Sequence, residues 1–127
     1  MKTSYIDVAG KWGIVLCYDF GLLDADEMAA MMDAFGMEDV SIEEAVRILL
    51  GVNTGMCVSR SDIRMSLVFI GSTSSEDQFW DTVVHELYHA SCALCDYYDV
   101  AHDSEGFAWT IGYLVRKAVG LLAPPCK

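Results

Sequence analysis

Apolar positions along this chain recur at two different periods, and the switches between them predict its elements. The first apolar run, Trp12-Gly13-Ile14-Val15-Leu16-Cys17-Tyr18, is β-branched and aromatic and is closed by Asp19-Phe20-Gly21, so it reads as a buried strand. Asp24 and Glu27 make an N-cap pair, and Met28, Met31, Met32 and Phe35 follow at helical spacing until Gly36, a methionine stripe read as core packing. Ser41 and Glu44 form a capping-box pattern for a second helix, with Ile42, Ala45, Val46 and Leu49 at i, i+3, i+4 and i+7 before Gly51. Residues 56–60 and 64–71 are two further strand-like runs across a short polar turn, a predicted β-hairpin.

Ser75 and Gln78 offer a cap for a third helix carrying Phe79, Val83, Val84, Leu87, Ala90 and Leu94 toward Cys95 or beyond. Asp103 or Ser104 caps a fourth, with Phe107, Ile111, Leu114, Val115 and Ala118 on one face and Gly120 and Pro124-Pro125 at its end. The order β, α, α, β, β, α, α does not alternate regularly. It favours an α+β fold, one domain over residues 1–127, with helices on one face of a small, mainly antiparallel sheet.

The third helix contains His85-Glu86-Leu87-Tyr88-His89, an H-E-x-x-H motif. Helical residues four apart lie about 40° apart around the axis and one turn along it, so both imidazoles leave one face and can share an ion. Glu86, about 100° from His85, is too far round to be an equal ligand but stands beside any water on that ion, the place of a general base. A catalytic zinc site wants three protein ligands and an open position. Glu105, which opens the fourth helix, is the leading candidate for the third, and Ala108 and Gly112 behind it are small enough for a close helix crossing. Cys92, Cys95, His102 and Asp99 compete for that place, and Cys92 with Cys95 also forms a C-x-x-C pair. Asp81 and Asp96 fall near the same helix face as the histidines, where a carboxylate could hold a ligand imidazole, although solvated surface acids are the plainer reading.

Composition narrows the partners. Eight basic against 19 acidic residues give a net charge of −11, a field that repels phosphate backbones and anionic lipid headgroups, so neither nucleic acid nor membrane is expected. No apolar run approaches the roughly 18 residues of a membrane span, and the first residues carry no signal-peptide pattern. Five cysteines, at 17, 57, 92, 95 and 126, give no even framework, and free thiols in the cytoplasm are expected. A hydrophobic content of 54% in so small a chain leaves a homodimer open.

His85-Glu86-Leu87-Tyr88-His89 followed by Glu105-Gly106-Phe107-Ala108-Trp109 resembles the zincin metallopeptidases of the glutamate-ligand type, the gluzincins, and the chain is similar in size to the minigluzincins. The stretch from Asn53-Thr54-Gly55 through Arg64 and Gly71 also resembles small bacterial and phage proteins with the same helix pair, so the likeness covers roughly residues 53–118. It implies a minimal zincin-like domain in which His85, His89 and Glu105 bind zinc, Glu86 is the base and a peptide or protein is hydrolysed. It also implies a substrate extended along an edge strand, for which the segment from Met65 to Ile70 is the expected candidate. The family's additional transition-state-stabilising Tyr or His has no obvious counterpart; Tyr113 and His102 are the nearest candidates. The alternative is a catalytically silent interaction module in which zinc staples two helices.

Overall fold

A computed structural model describes residues 1–124; Pro125, Cys126 and Lys127 lie outside the described residues, and with them the fifth thiol and the last helix-stopping proline of the sequence reading. The elements are β1 (Lys2–Val8), β2 (Trp12–Tyr18), α1 (Ala25–Ala34) after a single 3-10 turn at Leu22–Asp24, α2 (Asp39–Leu49), β3 (Gly55–Arg60), β4 (Met65–Ile70), α3 (Glu76–Tyr97) and α4 (Glu105–Leu121). The strands form one sheet in the order β1-β2-β4-β3. β1 with β2 and β3 with β4 are antiparallel, whereas β2 and β4 run parallel: α1 and α2 lead from β2 to the edge strand β3, and the β3–β4 hairpin returns β4 beside β2. The fold is α+β with a mixed sheet.

The expectation that all helices share one face is corrected. α3 and α4 pack on one side, where Phe79, Leu87 and Leu114 meet Ile14, Leu16, Val68 and Ile70. α1 and α2 pack on the other, where Met28, Met32, Ile42 and Leu49 meet Cys17, Leu67 and Phe69. Successive strand residues point to opposite faces, so β2 and β4, covered on both sides, must be apolar at nearly every position. That is why the sequence of β4 showed no polar face, and it also corrects the placement of β4 at an edge: β4 is interior, and the edges are β1 and β3.

β1 escaped the periodicity reading because only Ile6 and Val8 of its side chains are buried, as befits an edge strand. Its hairpin to β2 turns at Ala9 and Gly10, both at positive φ (53° and 69°), with the Lys11 N–H donating to the Val8 carbonyl at 2.9 Å. Two predicted caps are also corrected. α2 begins at Asp39, so Ser41 and Glu44 lie inside it and Glu44 pairs with Arg47 instead. Asp24 does stand at the N-cap position of α1, but its side chain accepts the Gly21 N–H at 2.9 Å and the N-terminal ammonium at 3.2 Å and makes no capping bond to the helix. Ser75 and Ser104 do cap their helices, accepting the N–H of Gln78 (3.1 Å) and Phe107 (3.2 Å).

The connection into α3 is pinned to the connection into β3. Asn53, at a φ of 60°, donates from Nδ2 to Ser74 Oγ (3.1 Å) and accepts the Ser74 N–H (3.0 Å), while the Gly71 N–H donates to the Thr54 carbonyl at 2.9 Å. A side chain at Gly71 would come within 2.9 Å of that carbonyl, so only glycine lets the two loops touch. This crossing sets β3 against α3. Among the described residues no helix is long and apolar enough to cross a membrane.

Candidate metal centre

α3 delivers the motif as its spacing requires. The rings of His85 and His89 lie one turn apart with centroids 4.9 Å from each other, and their Nε2 atoms are 3.3 Å apart. Both histidines are exposed, while Glu86 between them is 5% exposed, with Oε2 at 4.0 Å from His85 Nε2. One donor atom from each of the three lies within 4.8 Å of the others. The donor set fits a tetrahedral zinc ion: two nitrogens at about 2.0–2.1 Å from such an ion stand about 3.3–3.4 Å apart.

Glu86 is buried because β3 begins against it. A Cβ on Gly55 would lie 2.8 Å from Glu86 Oε2 and 2.7 Å from Thr82 Cγ2, so the glycine is what allows strand and carboxylate to share the space. Gly55 has no positive φ, and the requirement is for room alone. Burial raises the Glu86 pKa above the usual carboxylate value, and the flanking histidines pull it back only in part. A cavity of about 380 Å³ opens beside the motif, with Asn53, Gly55, Asp81, His85 and Glu86 among its walls.

Of the residues expected at the site, His85, Glu86 and His89 come together. Glu105 does not join them: it is the exposed first residue of α4, and its carboxylate is not one of the converging donors. The proposed basis for its approach is corrected as well. Ala108 and Gly112 are exposed, and α4 instead buries Phe107, Thr110, Leu114 and Ala118. The start of α4 still reaches the motif through rings, since Phe107 packs on Tyr88 (5.7 Å) and Tyr88 on His89 (5.9 Å).

None of the competing ligands is among the converging donors. His102 Nε2 is 2.7 Å from Asp96, which removes both from the histidine pair of the motif. Cys95 is buried and directs its thiol to Thr110 Oγ1 at 3.8 Å. Cys92 is half-buried on α3, and Asp99 is exposed in the loop beyond it. Cys17, Cys57, Cys92 and Cys95 are all free, and burial pushes the Cys57 thiol, near Glu86, up to about 11. Asp81 lines the cavity beside His85. Tyr113 donates to the Asp7 carbonyl at 3.3 Å, on the far edge of the sheet from the motif.

Sequence reasoning missed two contributors. Gly55 was a strand-leading glycine with no visible reason to be one, and Asn53 gave the only signal of a pinned turn. Comparison of the chain with protein-family profiles, with curated proteins and with solved structures returned no match.

Proposed function

We propose that this chain is a cytoplasmic, zinc-dependent metallopeptidase that hydrolyses amide bonds of a peptide or protein substrate. The observation that carries this reading is the pair of exposed imidazoles 3.3 Å apart with a buried carboxylate beside them. His85 and His89 would hold the ion; Glu105, which stands outside the converging donors at the exposed start of α4, would have to swing in from there to serve as the third ligand. Neutral imidazoles with a carboxylate suit zinc among the divalent ions. When bound, the ion supplies Lewis acidity, bringing the pKa of water toward about 7 and polarising a carbonyl.

Glu86 then accepts a proton from the attacking water and returns it to the leaving amine. Its burial serves that role by holding the carboxylate beside the imidazoles and out of bulk water. The substrate would lie extended along β3, the sheet edge whose first residue touches Glu86. The rival reading, a zinc staple between α3 and α4, calls on the same approach of Glu105; the hydrolase reading is favoured by the buried Glu86 carboxylate beside the imidazoles, which a staple does not need.

The test is zinc content of protein purified without added metal or a histidine tag. About one zinc per chain is expected, lost in His89→Ala and weakened in Glu105→Ala. Zinc retained in full by Glu105→Ala would move the third ligand elsewhere. Glu86→Gln should keep zinc and lose turnover of a peptide library by roughly 10²–10⁴-fold. Zinc-loaded protein that cleaves no peptide, with Glu86→Gln indistinguishable from wild type, would leave the interaction module.

A further inference from the structure

β3 has a face toward each helical layer. Gly55, Cys57 and Ser59 point to the α3 side, where Gly55 meets Glu86, whereas Met56 packs with the α1–α2 cluster and Arg60 reaches the Phe35 carbonyl on that same side. On the α2 side an apolar groove of about 480 Å³ runs between α2 and β3, floored by Leu49 and Met56 and walled by Met37, Val40 and Ile48. Val40 is 83% and Ile48 45% exposed, so large aliphatic surface faces solvent here. Ile48 and Gly55 are walls both of this groove and of the cavity beside His85 and Glu86. The two hollows therefore meet across the first residue of the edge strand.

We propose that this groove is the specificity pocket of the metal site: it takes one large apolar side chain, leucine, methionine or phenylalanine, of an extended peptide paired with the free edge of β3. The inference rests on the metallopeptidase reading of the motif. The geometry follows from strand addition. Side chains of an added strand alternate between faces, so those neighbouring the residue that faces His85 and Glu86 project to the α2 side and enter the groove. The groove is bounded by the very strand that would bind the peptide backbone, and both can be used at once. Its surroundings also select charge. Asp81 and Glu86 stand in the adjoining cavity, and the chain carries −11 overall, so neutral or basic peptides are favoured over acidic ones.

The experiment uses zinc-loaded Glu86→Gln protein and fluorescein-labelled octapeptides of Gly, Ser and Thr in which a single Leu, Met, Phe, Lys or Asp is walked along the chain. Binding is read by fluorescence anisotropy and repeated with Val40→Asp in the same background; Val40 is exposed, so its fold is expected to survive, checked by circular dichroism and zinc content. The proposal expects peptides with Leu, Met or Phe at one favoured position to bind roughly tenfold or more tightly than those with Asp there, and Val40→Asp to abolish the preference. Equal binding of all peptides, no binding, or a preference unchanged by Val40→Asp overturns it. Wild-type protein that cleaves peptides without an apolar preference overturns the groove while sparing the metallopeptidase reading. Selective binding to Glu86→Gln with no cleavage by wild type spares the groove and removes the hydrolase. A wild-type dimer in sedimentation that Val40→Asp converts to monomer, with no peptide preference, assigns the groove to a second copy of the chain and overturns the proposal.

Discussion

The two faces of the sheet are packed by different chemistry. Under α1 and α2 the buried side chains are methionine, isoleucine, leucine and phenylalanine, with the Cys17 thiol pushed up to about 12 by burial and so held as an inert hydrophobe. Under α3 and α4 the interior also contains Glu86, Ser66, Thr82, Ser91 and Thr110. Some of these are bonded: Ser66 accepts the Trp12 indole N–H at 3.0 Å, and Thr110 donates to the Gly106 carbonyl at 2.8 Å. Ser91 Oγ has no hydrogen-bond partner, and burial raises the pKa of the Glu86 carboxyl. One face therefore stabilises the fold at little polar cost, and the other gives up some of that stability to hold a reactive group close to solvent.

The sharpest way to break this contrast is to damage each face and read stability and chemistry separately. Met32 is fully buried in the α1–α2 layer, so Met32→Ala should cost about 2–5 kcal/mol in urea unfolding. Zinc affinity of the surviving folded protein should be unchanged, because no atom of that layer converges on the motif. A zinc affinity that falls with stability would mean that the two faces are coupled through the sheet. Gly55→Ala attacks the other face. The added methyl, under 3 Å from Glu86 and Thr82, should cost about 1–3 kcal/mol and displace the carboxylate, lowering turnover while zinc stays bound. Wild-type turnover in Gly55→Ala would show that Glu86 does not need the close approach of β3.

Much of this was legible in the sequence, and what was hidden has physical causes. The helices were readable because their apolar stripes are regular and Ser75 and Ser104 cap them. The motif was readable because i, i+4 spacing on a helix fixes direction without tertiary information. Sidedness was not. β2 and β4 are apolar on both faces, which is compatible with a single buried face in a small domain and with helices on both, and only the packing of the two helix pairs decides between them. β1 was hidden for the opposite reason, since an edge strand with two buried residues has almost no pattern. Glu105 was chosen from chain distance and small neighbours. Ala108 and Gly112 proved to face solvent, because residue size marks a close crossing only on the face that packs. Gly55 was hidden because its requirement is set by Glu86, 31 positions away, and no local rule encodes it.

The smallest expected effect has the opposite sign to the first. Ser91 is fully buried on α3, two residues beyond His89, and its hydroxyl meets no partner. A buried unpaired hydroxyl costs roughly 1–3 kcal/mol, set against the packing its oxygen supplies. Alanine also has the higher helix propensity, by a few tenths of a kcal/mol. Ser91→Ala should therefore stabilise the protein by about 1 kcal/mol and raise Tm by roughly 3–6 °C in a thermal melt of the metal-free chain. Zinc binding should not change, because the side chain points into the core rather than toward the imidazoles. A loss of stability instead would mean that the hydroxyl is satisfied in solution, by a water held inside the α3–α4 layer. The polar content of that face would then be a bonded network rather than a cost accepted for the site, and the contrast between the two faces would lie in Glu86 alone.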